Sequence, residues 1–350
     1  MSMLTPVTRE VLEERERQTL SSLACLSSES EGRAHLDTPD PYRTAFQRDR
    51  DRILHCKSFR RLSHKTQVFL APEGDHYRTR LTHTLEVTQI ACSIARSLGL
   101  NEDLTCAIGL GHDLGHTPFG HTGEAALCES IARYRGISLD DPSVHGLYRH
   151  NLQSVRIVDV LEREGKGLNL SREVVDGIKH HTGKERAKTL EGKIVATADR
   201  IAYVNHDIDD AIRAGLLTEA DLPAHTHEVL GTSASERITT MTQDMIVNSA
   251  RVGDIFMSDE IWEALLELRA FLFENVYMAS DAKREEPKAR HVVSSLFEYY
   301  IDRIDEVPQE YRRQSTDDQV TQVVDYISGM TDRFAIRTYE EIKIPRSWRL

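Results

Sequence analysis

The sequence predicts an all-α protein, because helical spacing of apolar residues recurs along the chain and no alternating strand series is present. In the segment 87–98, apolar residues follow the intervals i, i+3, i+4, i+7, i+8 and i+11, and Gly99 can end this helix. The segment 104–114 is almost entirely apolar or Gly up to His112 and Asp113, as in a buried helix with polar residues at one end. Further helices are predicted at 155–164, 194–212, 261–277, 292–304 and 320–329.

The chain length indicates either one large domain or a domain plus an appendage, since 350 residues slightly exceed the size at which a single hydrophobic core usually stops growing. In the polar arm 1–40, SSESEGR and DTPDP interrupt any periodicity. We expect this arm to be partly disordered in isolation or ordered against a partner subunit. Residues 41–350 are predicted to form one helical domain, with a core at about 78–215 and a C-terminal helical part at about 216–350.

The composition is that of an ordinary globular protein, with 39% hydrophobic and 29% charged residues. No run approaches the roughly 18 apolar residues of a membrane span, and the N-terminus lacks a basic segment followed by an apolar stretch. We therefore expect a soluble, cytoplasmic protein with no membrane partner. The five cysteines form no CxxC pair, so we expect reduced packing residues rather than a disulfide framework or a thiolate zinc site.

The net charge of −12 argues against sequence-independent nucleic-acid binding as the main activity, although it does not exclude single-stranded DNA as a partner. Between residues 41 and 80, however, ten Lys and Arg residues stand against four acidic residues. This basic segment would suit a small polyanion such as a nucleoside triphosphate, but a solvated helix face would have the same composition. Composition supports these two interpretations about equally.

Three separated segments contain side chains of the types that bind metal ions: His83, the adjacent pair His112 and Asp113, and Asp199. Imidazole and carboxylate suit a borderline or hard divalent ion, and such a mixed set can leave coordination positions open for water and substrate. A single His, or a single His-Asp pair, is more often structural. Convergence of all four favours a shared cation, since burying several uncompensated charges costs several kcal/mol each.

The predicted helix around Asp199 carries a polar stripe at helical intervals. The stripe contains Tyr and His among clustered Asp residues, whereas a solvent-facing stripe usually contains Lys and Glu, so a cleft is favoured over solvent as its environment. The opposite face is apolar. The stripe consists of Asp199, Tyr203, His206, Asp207 and Asp210, and the apolar face of Ile194, Ala198, Ile201, Ile208 and Ile212.

Six segments resemble, in the same order, the motif series of the dGTP triphosphohydrolases of the HD superfamily, and the resemblance covers nearly everything from residue 42 to residue 333. The ordered series is specific for the family, whereas an HD pair alone would indicate only the superfamily. The chain length and the RDRDRIL opening are more similar to the shorter dGTPase-like subgroup. The segments are FQRDRDRILHCKSFRRLSHKTQVF, RTRLTHTLEV, GHDLGHTPFGHTGE, HNLQS, ADRIAYVNHDIDDA and VVDYISGMTDR.

The resemblance implies an HD-domain helical bundle with additional C-terminal helices, in which His83, His112, Asp113 and Asp199 form the metal site. The ion is expected to be divalent, with Mn, Mg, Fe, Co, Ni and Zn all open. Whether Asp113 and Asp199 also support a second ion is left open.

In the family, a histidine and an acid that follow the HD pair act in catalysis, and the matching residues here are His121 and Glu124. Their i, i+3 spacing puts them on one helix face. His116 matches a position that contacts the phosphates, which implies binding or proton transfer. With an unperturbed pKa of about 6.5, His121 is suited to pass a proton to or from the reacting oxygens.

The resemblance also implies contacts to the sugar and the phosphates. Tyr203 and Asp207 match positions that hold the deoxyribose, with the Asp on the 3'-hydroxyl and the Tyr against the 2' position. Asn151 lies in the matching segment HNLQS, where binding and structural roles are equally supported. Phosphate-binding positions are matched by Arg80 and Arg200, and less closely by Arg61 and Lys65 in the basic segment.

The implied reaction is attack of water on the α-phosphorus of a dNTP, with dGTP one candidate, to release deoxynucleoside and inorganic triphosphate. A bound divalent ion can lower the pKa of water from about 15.7 toward about 7. Relatives form tetramers or hexamers, some with a nucleotide activator, so a homo-oligomer is expected by analogy. Two alternatives stay open: another HD phosphohydrolase, such as a 5'-nucleotidase or cyclic-nucleotide phosphodiesterase, and a nucleotide-sensing or single-stranded-DNA-binding module without turnover.

Overall fold

The computed structural model describes residues 4–67, 78–277, 282–314 and 316–345. These residues form helices and connecting turns without a β-strand, which confirms the predicted all-α class. None of the described helices is long and apolar enough to cross a membrane. The helices are α1 (Arg9–Thr19), α2 (Ala45–Leu54), α3 (Lys57–Arg61), α4 (Arg80–Ser97), α5 (Glu102–Gly111), α6 (Gly120–Arg135), α7 (His150–Arg156), α8 (Glu162–Gly165), α9 (Arg172–Lys179), α10 (Leu190–Arg213), α11 (Ala224–Leu230), α12 (Ala234–Val252), α13 (Asp259–Leu272), α14 (Ala282–Asp302), α15 (Gln319–Ser328) and α16 (Asp332–Lys343).

Most of the predicted helical segments correspond to α4, α5, α10, α13, α14 and α15. The segment 155–164 differs, because α7 gives way to a π-helical turn at Ile157–Leu161, and Arg163 and Glu164 are left-handed with φ of 51° and 61°. An added Cβ at Gly167 would lie 2.2 Å from the carbonyl oxygen of Asp159. The chain therefore folds back on itself here, and apolar spacing alone does not reveal such a bend.

The first of two compact units comprises Met1–His55, Thr84–His112 and Leu168–Phe273. Within it α5 contacts α2, α9 and α10, while α10 also contacts α12 and α13. An added Cβ at Gly177 on α9 would lie 2.5 Å from Cδ1 of Ile108 on α5, so glycine permits the close approach of these helices. This packing holds α10, whose polar stripe carries several predicted site residues.

The N-terminal arm, described from residue 4, contains α1 and is hydrogen-bonded to the rest of the first unit through buried carboxylates. The side chain of Glu191 accepts the backbone N–H of Cys25 at 3.0 Å. The buried Asp49 forms an ion pair with Arg33. The arm is thus ordered against its own chain, because it satisfies acidic groups that would otherwise be buried unpaired. The domain boundary at residue 40 stays a prediction.

The second unit comprises Cys56–His83, Asp113–Gly167 and Glu274–Leu350. In this unit α14 contacts α6, α15 and α16. Leu127 of α6 and Phe297 of α14 are almost fully buried in the shared core. The C-terminal helices therefore hold α6, whose first turn carries two predicted catalytic residues.

Candidate active site

His112 directly follows α5, and the end of that helix orients its ring. Its Nδ1 lies 2.6 Å from the carbonyl oxygen of Gly109, which assigns the ring proton to Nδ1. The other nitrogen, Nε2, lies 3.9 Å from Oδ1 of Asp199 on α10. This distance is too long for a hydrogen bond but suits two ligands of one ion, each about 2.0–2.2 Å from it. A ring nitrogen bonded to a carbonyl is typical of metal-ligating histidine.

The buried carboxylate of Asp113 is the centre of a second group, in the second unit. Nη1 of Arg80 donates to its Oδ2 at 2.7 Å. Nε2 of His116 lies 3.1 Å from its Oδ1, and Nε2 of His83 lies 3.9 Å from Oδ2. Arg80 and His83 are three residues apart in the first turn of α4, so one helix presents both. Arg80 compensates the charge that burial of Asp113 would otherwise leave unpaired.

The residues present fit a divalent cation. His112 and Asp113 are adjacent in sequence, and each pairs with one further residue: His112 with Asp199 in the first unit, and Asp113 with His83 in the second. Each pair brings one imidazole nitrogen and one carboxylate oxygen to 3.9 Å. Two imidazoles and two carboxylates suit borderline and hard divalent ions.

His116 and His150 form a stacked pair of imidazoles, with ring centroids 4.0 Å apart and planes inclined by 15°. Asp113, His116 and His150 each place one ligand atom within 4.8 Å of the others. Nδ1 of His116 is buried and has no hydrogen-bond partner among the described residues. Burial, and then the charge of Arg80, lower the pKa of His116 below its ordinary value. His116 is therefore a neutral imidazole near pH 7.

Backbone contacts hold the loop between Asp113 and α6 against α7. An added Cβ at Gly115 would lie 2.3 Å from the carbonyl oxygen of His150, so no side chain fits there. Phe119 is left-handed with φ of 62°, and its N–H donates to Oδ1 of Asp332 at 3.1 Å. These constraints set where α6 begins and how its first turn points.

His121 and Glu124 lie on the first turn of α6, as their spacing predicts. Glu124 accepts the backbone N–H of His150 at 3.2 Å, and its Oε2 lies 3.0 Å from Nδ1 of His150. Nδ1 of His121 lies 3.8 Å from the same Oε2, and the His121 side chain is 81% exposed. Burial would raise the pKa of Glu124, but contacts with His121 and His150 hold it below the ordinary value. The carboxylate is thus hydrogen-bonded to His150, and the exposed His121 ring lies beside it without a hydrogen bond to it.

Comparisons with known proteins place this site in a family. The HD domain model matches residues 80–204, and the model of the phosphohydrolase-associated domain matches residues 255–341. A deoxyguanosinetriphosphate triphosphohydrolase-like protein of Caldanaerobacter subterraneus subsp. tengcongensis is 54% identical over 97% of both chains. A protein of the same description from Desulfatibacillum aliphaticivorans is 48% identical over 96% of this chain and 98% of the relative. Another, from Clostridium perfringens (strain SM101 / Type A), is 46% identical over 97% of this chain and 98% of the relative. The chain belongs to this dGTPase-like family.

This membership confirms the family that the motif series predicted, and the HD domain together with the relatives identifies the chain as a phosphohydrolase. HD domains are metal-dependent hydrolases, and this chain has a buried His and Asp cluster that could hold a metal ion.

Two predicted phosphate contacts of the dGTPase-like chain are engaged with protein groups. Nζ of Lys65 is buried and donates to the carbonyl oxygens of His116 and, at 2.7 Å, of Ser328. Burial, and then the charge of Arg61, lower the pKa of Lys65 to about 7. Nη1 of Arg61 donates to the hydroxyl of Tyr311 at 3.2 Å. Phosphate binding by Lys65 and Arg61 stays a prediction that these contacts do not support.

The polar stripe of α10 is mostly buried, as its composition indicates: His206, Asp207 and Asp210 are at most 4% exposed. Burial raises the pKa of the half-buried Tyr203, and the charge of Arg269 on α13 opposes this. The sequence did not link Arg269 to Tyr203, because only tertiary packing brings the charge of Arg269 near the Tyr203 hydroxyl.

Arg200, the predicted phosphate contact beside Asp199, has its guanidinium 5.5 Å from the ring centroid of Trp262 on α13. Such a cation–π contact orients a guanidinium without using up its donors. Trp262 carries no sequence signal that links it to α10.

His181 is a further residue that sequence reasoning missed, although the HisHis pair at 180–181 was available as a signal. Its ring is edge-on to that of His112, with centroids 5.0 Å apart, and its Nδ1 lies 2.8 Å from the carbonyl oxygen of Ile178. Asn151 is buried on α7 next to His150, and its role stays a prediction. Residues 68–77 of the basic segment, with Glu73 and Asp75, lie outside the described residues.

Proposed function

We propose that this dGTPase-like chain hydrolyses deoxynucleoside triphosphates, dGTP among them, to a deoxynucleoside and inorganic triphosphate. The observation that carries the proposal is the buried Asp113 carboxylate with Arg80 at 2.7 Å and His116 at 3.1 Å. These groups combine a metal-ligand carboxylate with a guanidinium and an imidazole, which are the side chains that bind phosphate oxygens. The description shared by the relatives supports a deoxynucleoside triphosphate as the substrate.

We propose that His83, His112, Asp113 and Asp199 hold a divalent ion. Support comes from the bond of His112 Nδ1 to Gly109 and from the 3.9 Å separation within each His and Asp pair. When bound, such an ion supplies a water of lowered pKa and offsets phosphate charge.

The remaining side chains would bind the triphosphate and move the proton. The guanidinium of Arg80 can donate to phosphate oxygens, and the neutral imidazole of His116 can donate or accept one hydrogen bond. When the bond between the α-phosphorus and the 5'-oxygen breaks, the leaving oxygen needs a proton. His121 is the proposed donor, because its exposed ring can reach both solvent and substrate. Glu124 keeps the nearby His150 in position.

Selection for deoxyribose is proposed to come from α10. Tyr203 and Asp207 lie one and two turns beyond Asp199, so a nucleotide whose α-phosphate is near Asp199 would lay its sugar along this helix. The Asp207 carboxylate would accept the 3'-hydroxyl, and the Tyr203 ring would crowd a 2'-hydroxyl. Ribonucleotides are therefore expected to react poorly.

The test is a substrate panel of the four dNTPs, GTP, deoxynucleoside monophosphates and cyclic nucleotides, each with Mn, Mg, Co, Ni, Fe and Zn. Chromatography and phosphorus NMR identify the first phosphorus product, and we expect inorganic triphosphate from dNTPs only. Orthophosphate or pyrophosphate as the first product, or equal rates for GTP and dGTP, would contradict the proposal. Turnover of monophosphates or cyclic nucleotides instead would identify one of the other HD phosphohydrolases, and nucleotide binding without turnover would identify a sensor.

The homo-oligomer expected by analogy belongs to the same proposal. Sedimentation of the full chain with and without a dNTP tests for a tetramer or hexamer, and pairs of dNTPs in the activity assay test for an activating nucleotide.

A further inference from the structure

Two cysteines face each other across a helix pair in the first unit. On α4 and α5, an added Cβ at Gly109 would lie 3.2 Å from Cα of Thr88, so the two backbones pack closely there. Two turns along α4, Nε of Arg96 donates to Oε1 of Glu102 at 2.9 Å. From the first contact to the second, residue numbers rise on α4 and fall on α5, so the two helices are antiparallel. Facing residues therefore recur about once per helical turn between these two contacts.

Cys92 and Cys106 occupy the turn between these two contacts. This placement brings the two thiols close enough for each to change the pKa of the other. Sγ of Cys92 also lies 3.8 Å from the carbonyl oxygen of Glu102, one turn before Cys106 on α5. Both side chains are half-buried rather than sealed in the core, so small solutes can reach them. Two cysteines that share one turn of closely packed antiparallel helices can reach disulfide geometry with a small movement of their side chains.

The charges around the pair favour a thiolate on Cys106. The neighbouring Cys92 thiol lowers the pKa of Cys106, and the guanidinium of Arg50 on α2 lowers it further against the effect of burial. Arg50 is held there by Asp103, with Nη1 2.6 Å from Oδ1. By contrast, burial raises the pKa of both Cys25 and Cys56 to about 12. Since the thiolate is the reactive form, reactivity is concentrated in the facing pair.

We propose that Cys92 and Cys106 form a redox-active dithiol that a hydroperoxide oxidises to an intramolecular disulfide. The Cys106 thiolate attacks the hydroperoxide, the O–O bond breaks, an alcohol or water leaves with a proton, and Cys106 becomes a sulfenic acid. The Cys92 sulfur then attacks the Cys106 sulfur, the S–O bond breaks, and water leaves. Two thiols and one hydroperoxide thus yield one disulfide, one alcohol and one water.

The proposal goes beyond the hydrolytic function and does not depend on it. It also differs from the expectation that all five cysteines are only packing residues. The disulfide would cross-link α4 to α5, the helix that ends one residue before His112.

The test treats the reduced full-length chain with hydrogen peroxide, blocks the remaining thiols at successive times, and maps peptides by mass spectrometry without reduction. We expect Cys92 and Cys106 to be lost together, at least tenfold faster than Cys25, Cys56 and Cys128 in the same molecules, with a peptide cross-linked between positions 92 and 106. Equal rates for all five thiols, or maps without that cross-link, would overturn the proposal.

Single variants test the order of the steps. In Cys92→Ser, dimedone should trap a sulfenic acid at Cys106, whereas in Cys106→Ser the Cys92 thiol should react as slowly as the other cysteines. Cys128→Ser is the matched control and should keep the fast pair. Rapid oxidation of Cys92 in Cys106→Ser would overturn Cys106 as the attacking thiol. If a variant fails to fold, the peptide map of the unmutated chain still shows whether the disulfide between Cys92 and Cys106 forms.

Discussion

Replacing His121 with alanine should remove most of the turnover and leave the fold intact. The His121 side chain is 81% exposed, and its Nδ1 is 3.8 Å from Oε2 of Glu124, beyond hydrogen-bond distance. Exposed substitutions of this kind change stability by no more than about 0.5 kcal/mol. The free energy of unfolding of His121→Ala should therefore match that of the unmutated chain to within about 0.5 kcal/mol.

The activity should change far more than the stability. A positioned general acid or base contributes about 10²- to 10⁴-fold to the rate, which corresponds to about 3–5 kcal/mol of activation free energy. We expect this loss in kcat, with a smaller change in KM and an unchanged metal content, when triphosphate release from dGTP is measured. Because stability is preserved, the loss would report the chemistry rather than unfolding.

The matched control is His145→Ala, since His145 is an exposed histidine of the same unit in the turn Pro142–Gly146 and is not among the proposed site residues. This variant should keep both kcat and stability. A His121→Ala kcat within twofold of the unmutated value, or an equal loss in His145→Ala, would refute the role proposed for His121.

Three further changes have defined outcomes. His112→Ala and Asp199→Ala should each lose the bound metal, measured by elemental analysis, together with nearly all activity; full metal occupancy in both would remove them from the ligand set. Asp207→Ala should erase the preference for dNTPs over 2',3'-dideoxy analogues, a loss of about 1.5–3 kcal/mol in the ratio of kcat/KM values; an unchanged ratio would refute the sugar contact. Burial lowers the pKa of Lys65 to about 7 from 10.5 in the unfolded chain, so between these values the unfolded chain binds more protons. Stability of the unmutated chain relative to Lys65→Met should therefore rise with pH by about 1 kcal/mol per unit above pH 7 in urea denaturation; parallel pH profiles would contradict this.

Local spacing predicted those parts of the fold and site that depend on one helix. The period around Asp199 predicted α10 and its polar stripe, and the i, i+3 spacing predicted that His121 and Glu124 share the first turn of α6. Both features follow from the geometry of a single helix, which the order of residues determines.

Features that depend on tertiary packing were not predictable in this way. The hydrogen-bond partner of Glu124 is His150, 26 positions away and on another helix. Lys65 looked like a phosphate contact within a basic segment, but its ammonium is bonded to main-chain carbonyls, one of them that of Ser328. Charge counts describe composition and do not say which partner a cation finds once the chain is packed.

The contact at Gly115 has a consequence for how a substrate is received. No side chain fits between Gly115 and the start of α7, so the backbone next to His116 packs directly against the backbone of His150. The contact therefore fixes the separation of the two backbone segments whose imidazoles stack with centroids 4.0 Å apart. The conformational entropy of these segments is lost when the chain folds, so the nucleotide of the proposed function would not have to immobilise them.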